Sequence, residues 1–239
     1  MKLGVLQSSY IPWLGFFDQI HQCDLFLIYE DVQFTTKDWR NRNRIKTPQG
    51  PLWLTVPVTH GSILEQKIRD VHISQDPIWQ KKHWKALQKN YGTSIYFDRY
   101  ASFFEQTYAS PWSKLTDLNR HILDYLLWEL GIHTPIIYSS DTDLEDRFQQ
   151  ETDQRKQNPT ERILFLCQRI GADTFLEGSA GRRFIHQETL LEAGIDIQFH
   201  DYIHPEYTQN FSGFIPYLSI VDLLFNHGDN SLSILTNKT

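Results

Sequence analysis

The sequence predicts an α/β fold with a mostly parallel sheet, a helical middle segment and a β-hairpin insertion. Three observations carry this reading. Apolar runs at 2–7 (KLGVLQ) and 24–30 (DLFLIYE) flank a helical pattern at 14–23, and the same strand, helix, strand order returns at 173–202. The stretch between them is dominated by helical periodicity from residue 76 to about residue 131. Two βαβ units of this kind favour parallel pairing and a Rossmann-like sheet.

Each element has a local reason. SSYIPW (8–13) breaks the first strand with Pro12, and Leu14, Phe17 and Ile20 or His21 then recur at helical spacing. The β-rich runs on either side of Pro48-Gln49-Gly50-Pro51 in 44–58 predict a hairpin. Asp76-Pro77 starts a helix with a capping carboxylate and a proline in its first turn. Helical patterns follow at about 97–108 and 113–131, then a short strand in TPIIYSS (134–140). Asn158-Pro159-Thr160-Glu161 reads as a second strong helix start. The run 204–216 is irregular, and YLSIVDLLFNHG (217–228) is a last helix closed by Gly228. Residues 141–158 hold only Leu144 and Phe148 as large apolar side chains, which predicts a mobile loop. The expectation is a single α/β domain over 1–239, with a helical subdomain at about 76–133.

Composition narrows the function. The chain has a formal net charge of -6, with 7 Trp, 11 Tyr and 15 Phe among 239 residues. Aromatics in that number fill cores and also line sugar and nucleotide pockets. Cys23 and Cys167 stand far apart in apolar patterns without metal-ligand spacing, which predicts neither disulfide nor zinc and points to a reducing, cytoplasmic setting. No run approaches the length of a membrane span, so no membrane insertion is expected. The acidic balance argues against general nucleic-acid binding.

Against that balance, WRNRNRIK (39–46) concentrates cations. On an extended segment Arg40, Arg42, Arg44 and Lys46 share one face, while Asn41, Asn43 and Ile45 share the other. Guanidinium forks about 7 Å apart suit a diphosphate or several carboxylates. A solvated, charged edge strand is the competing reading. Trp39, Phe34, Gln33, Asn41 and Asn43 nearby are side-chain types that contact ribose, base and sugar. The loop after the first strand supplies Gln7, Ser8, Ser9, Tyr10 and Trp13 where doubly wound sheets bind ligands. EGSAGRR (177–183) offers Ser179, Arg182 and Arg183 in a Gly/Ser turn between strand and helix, a place where phosphates are held. No GxGxxG or GxxxxGK[ST] occurs, and no cofactor is expected. Asp31, ending the second strand, is a candidate general base, with structural pairing as the alternative. Asp222 on the last helix is a second candidate catalytic carboxylate, semi-buried and partnered by an arginine, with ordinary exposure as the alternative. His83 reads as a packed residue, and His200, Asp201 and His204 lack metal-ligand spacing.

Assembled, the segments 6–20, 24–34, 42–46, 53–58, 205–209 and 218–228 make the sequence resemble the WbqC-like protein family. That family commonly opens His-Gln-Pro-x-Tyr-x-Pro-Trp; Leu6 and Ser8 stand here at the His and Pro positions, so no role for that histidine carries over. Gln7, Tyr10, Pro12, Trp13, Gly15, Asp31, Gln33, Asn43, Arg44, Tyr207, Gln209, Ser219 and Asp222 match its pattern, which adds Tyr207 and Gln209 to the candidate binding residues. The resemblance implies a place in surface polysaccharide biosynthesis and transfer of an aminoacyl group, such as glycine, to a nucleotide-linked amino sugar. The expected partner is therefore a small phosphorylated metabolite, a nucleotide sugar. Arg42, Arg44 and Lys46 would neutralise its diphosphate, Gln7, Tyr10 and Trp13 would hold sugar or base, and Gln33 and Asn43 would orient groups. Asp31 would take the proton of the attacking amine. Two other readings stand beside this one: a nucleotidyltransferase-like or adenine-nucleotide-binding protein, and a non-catalytic module binding anions or nucleic acid.

Overall fold

A computed structural model describes residues 1–59, 66–153 and 158–237. The chain forms two compact units, one of residues 1–7, 19–31 and 133–203 and the other of 8–18, 32–132 and 204–239.

The first unit is built on a five-stranded sheet. Its strands are β1 (Lys2–Gln7), β2 (Leu25–Tyr29), β7 (Ile136–Tyr138), β8 (Thr174–Gly178) and β9 (Asp196–His200), in the spatial order β7-β2-β1-β8-β9. Every pairing is parallel. Numbered within the sheet, the order is third, second, first, fourth, fifth, the doubly wound Rossmann-like arrangement. β2 reads as an uninterrupted apolar run because both its faces are buried. Gly4 is needed in β1 for a close approach: a Cβ there would stand 2.6 Å from the Phe26 ring and 2.7 Å from Cys23 Sγ. α6 (Pro159–Ile170) starts as the sequence predicts, the Asn158 side chain accepting from the Glu161 amide at 3.0 Å. α7 (Gln187–Glu192) joins β8 to β9.

The stretch expected as a loop is partly helical. α5 (Leu144–Glu151) forms because Phe148 is buried against Phe165 and because Glu145 joins a buried cluster with Tyr29 and Arg162. Only two large apolar residues are needed when one carboxylate is also paired inside. Residues 154–157 of that expected loop lie outside the described residues.

The second unit holds the hairpin β3 (Arg42–Thr47) and β4 (Gly50–Thr55), the short ribbon β5 (Val58–Thr59) with β6 (His72–Ile73), and the helices α2 (Ile78–Tyr91), α3 (Phe97–Ala109), α4 (Leu115–Leu130), α8 (Ile220–His227) and α9 (Ser231–Leu235). Asp76 Oδ1 accepts from the Ile78 amide at 3.0 Å, as its place before Pro77 predicts. The core is aromatic: Phe225 stands 5.1–6.0 Å, centroid to centroid, from Tyr91, Phe97, Tyr100 and Phe104. α1 (Leu14–His21) divides between the two units. Among the described residues no helix is long and apolar enough to cross a membrane.

Candidate ligand-binding site

The candidate residues divide between the units. Tyr10, Trp13, Gln33, Arg42, Asn43, Arg44, Lys46, Tyr207, Gln209 and Asp222 belong to the second unit, and Gln7, Asp31, Ser179 and Arg182 to the first.

In the second unit the basic run separates into three roles. Arg40 precedes β3, where its guanidinium donates to Ser9 Oγ at 3.1 Å and stands 3.6 Å from Asp38. Lys46 does not leave its charge in the open. It is 1% exposed, and its ammonium donates to the carbonyls of Phe211 and Gly213. Phe211 has a φ of 64°, a left-handed conformation that its side chain disfavours, so the buried cation helps to hold the loop there, while Gly213 adopts its φ of 73° freely. The expected row of four cations thus reduces to Arg42 and Arg44, because the strand begins at Arg42 and Lys46 is drawn into the interior.

Those two share the outer face of β3 with the indoles of a flanking turn and strand. The hairpin register sets Arg44 opposite Trp53, and the diagonal neighbour Arg42 lies 4.2 Å over the same ring. Arg44 lies 5.5 Å from the Trp53 centroid and 5.9 Å from that of Trp39. Trp39 and Trp53 lie 5.4 Å apart and remain 38% and 41% exposed. Each guanidinium gives one Nη2 to a carbonyl, Arg42 to Lys37 and Arg44 to Tyr217. Among the described residues neither meets a carboxylate within ion-pair distance, and the Nε of each has no hydrogen-bond partner. Two pre-oriented forks beside two exposed indoles make a surface for an anion carrying a planar ring. Trp53 also lines a cleft of about 560 Å³ with Leu54, Thr55, Trp79 and His83.

The remaining candidates in this unit hold the scaffold. Asn43 is buried, donates to the Ile11 carbonyl at 2.8 Å and accepts from the Arg44 amide at 2.8 Å. Ile11 is a β-branched residue at φ 36°, a strained conformation held by that side chain. Trp13 packs on Tyr217 at 5.6 Å, and Gly15 leaves room for its ring, since a Cβ there would come within 2.2 Å. Gln33 is exposed and bridges to Lys67 through the backbone. Gln209 Nε2 donates to the Ile215 carbonyl, and the Ile215 amide donates back.

Tyr10 and Asp222 each centre a buried network. The Tyr10 hydroxyl lies 2.8 Å from His83 Nδ1 and also bonds Tyr108. Burial holds the His83 imidazole down at about 3, opposed by its ring N–H bonding the Thr55 carbonyl. That N–H leaves Nδ1 as an acceptor, so Tyr10 donates to it and Tyr108 donates to Tyr10. His83 is therefore a neutral, packed residue, as the sequence suggested. Asp222 is 0% exposed. Its two oxygens accept from Tyr91 (2.7 Å) and Tyr207 (3.0 Å), and the Lys46 amide donates to Tyr91. Burial raises the Asp222 carboxyl, while the two hydroxyls and the Lys46 charge pull it down.

In the first unit Asp31 lies just past the carboxyl end of β2. Its Oδ2 accepts from Ser139 at 2.5 Å, and the adjacent Glu30 accepts from Ser140 at 2.7 Å. Gln7 ends β1 and Ser179 follows β8, so both stand at the carboxyl edge where the strand order reverses. Burial lifts the neighbouring Glu177 carboxyl to about 7 against the Gly178 amide, which lowers it. Arg182 is already engaged: its fork meets Asp201 at 2.5 and 2.6 Å over the Phe199 ring. Burial pushes the Cys23 and Cys167 thiols up to about 12, so neither is a ready nucleophile.

Sequence reasoning missed Trp53, and Asp222, expected semi-buried beside an arginine, is instead fully buried and paired with the Tyr91 and Tyr207 hydroxyls. A signal for Trp53 was present, because a turn at 48–49 sets Arg44 against residue 53.

The fold and this chemistry define a Rossmann-like α/β protein whose second unit carries a basic, aromatic surface patch. Residues 7–234 match the model of the WbqC-like protein family, and the chain belongs to that family. It is similar to the "Uncharacterized protein Rv1507c" of Mycobacterium tuberculosis, 39% identical over 229 residues that cover 95% of this chain and 94% of that protein. No solved structure matches it.

Proposed function

We propose that this protein is a transferase acting on a nucleotide-linked amino sugar in surface polysaccharide biosynthesis, adding an aminoacyl group such as glycine to the sugar amine. The observation that supports this is the pair Arg42 and Arg44 over Trp53, neither of them within ion-pair distance of a carboxylate among the described residues, with Asp38 acting on Arg42 only at longer range. The guanidinium pair takes the diphosphate, and the cleft beside Trp53 takes the base, since indoles stack on any base. In the reaction the amine forms a C–N bond to the acyl carbon, the bond to the donor's leaving group breaks, and the amine proton passes to a carboxylate. Asp222, which is fully buried, takes that part by relay through the half-buried Tyr207 hydroxyl that donates to it.

A thermal-shift panel tests the reading. A uridine or thymidine diphosphate amino sugar at about one hundred times its Kd should raise Tm by roughly 5–10 °C, an effect that weakens with salt. Equal silence from every nucleotide sugar would sink the proposal.

The strand order favours a second reading, in which an adenine nucleotide binds at the carboxyl edge of β1 and β8 with Gln7, Asp31 and Ser179. ATP stabilisation that survives loss of Arg42 and Arg44 but falls in Gln7→Leu would select it.

A further inference from the structure

Elsewhere in the second unit lies a pocket of about 430 Å³ that nothing above uses. Ser94, Tyr96, Asn210, Asn226, His227 and Asn230 line it, and among its lining residues there is no carboxylate, lysine or arginine. The hydrogen bonds around these groups leave a definite pattern. Asn210 Nδ2 donates to the Asn90 carbonyl at 2.9 Å and to Ser94 Oγ at 2.7 Å, which uses both its protons and leaves Oδ1 to accept. Asn226 Nδ2 donates to the Asp222 carbonyl at 2.7 Å, and among the described residues its Oδ1 bonds no protein group. His227 Nε2 lies 2.9 Å from the Thr208 carbonyl, which can only accept. The proton is therefore on Nε2, and Nδ1 is an acceptor.

Three fixed acceptors, with the hydroxyls of Ser94 and Tyr96 beside them, suit a ligand that donates and accepts without carrying charge. A phosphate would find no cation, and an ammonium no carboxylate. We infer that this pocket is a binding site for the hydroxyl groups of a neutral saccharide. The inference stands independently of the anion surface.

Saturation-transfer NMR and calorimetry with the methyl glycosides of glucose, galactose and N-acetylglucosamine test it on the full chain. At least one glycoside should bind at millimolar concentration or better. Asn230→Ala, at an exposed position, should weaken it several-fold, and Thr93→Trp, which puts an indole at an exposed lining position, should weaken it tenfold or more. Arg42→Ala/Arg44→Ala should bind the same glycoside unchanged, which separates this site from the nucleotide reading. Binding that persists in both pocket variants, or no binding of any glycoside to the natural chain, would overturn the assignment.

Discussion

Asp222→Ala is expected to lose about 3–5 kcal/mol of stability, a large share of the roughly 5–15 kcal/mol that holds a typical domain. The carboxylate proposed to take the amine proton is also a structural hub: it is fully buried and is the acceptor for two tyrosine hydroxyls, one of which also receives the Lys46 amide. Removing it strands both hydroxyls at about 1–3 kcal/mol each and takes away the negative charge that acts on the buried Lys46. Asp222→Asn should cost much less, because one oxygen still accepts and no charge has to be desolvated. Urea unfolding of the three proteins checks this. An alanine variant as stable as the natural chain would mean that the Tyr91–Asp222–Tyr207 network does not hold the core.

The second large effect is on acid stability. The His83 ring titrates near 6.5 when unfolded and is held at about 3 when folded. Between those values the unfolded chain binds the proton more tightly, so stability is fully present above about pH 6.5 and is lost as pH falls toward 3. The shift corresponds to roughly 4–5 kcal/mol over that window. His83→Leu leaves Tyr10 without its acceptor and should be less stable at pH 7, yet its stability should depend less on pH between 6.5 and 3. An unchanged acid slope in that variant, read from denaturant midpoints, would mean that the ring is not held neutral.

Much of the fold was legible in the sequence, since apolar runs of strand length, helical periodicity and the caps at Asp76 and Asn158 are local signals. α5 was not, because it rests on one buried aromatic and on an ion pair to Arg162, which is distant in sequence. The same distinction runs through the site. Alternation in RNRIK set Arg42 and Arg44 on one face, and hairpin register then brought Trp53 to them. Alternation also put Lys46 in that row, and no local pattern reveals that the carbonyls of Phe211 and Gly213 capture its ammonium. The partners of Asp222 come from α2 and from the irregular run before α8, a convergence that only tertiary packing produces. The amide-lined pocket escaped notice for a related reason: Ser94, Asn210 and Asn226 are unremarkable one by one, and only their shared surface gives them a chemistry.

The central claim is that a phosphorylated ligand lies across Arg42 and Arg44. Calorimetric titration of a uridine diphosphate amino sugar into the natural chain and into Arg42→Ala/Arg44→Ala measures it directly, with circular dichroism to show that both are folded. Each guanidinium contact to phosphate is worth about 1.5–3 kcal/mol, so the double variant should bind about a hundredfold more weakly or worse. Unchanged affinity in a folded double variant would contradict the account.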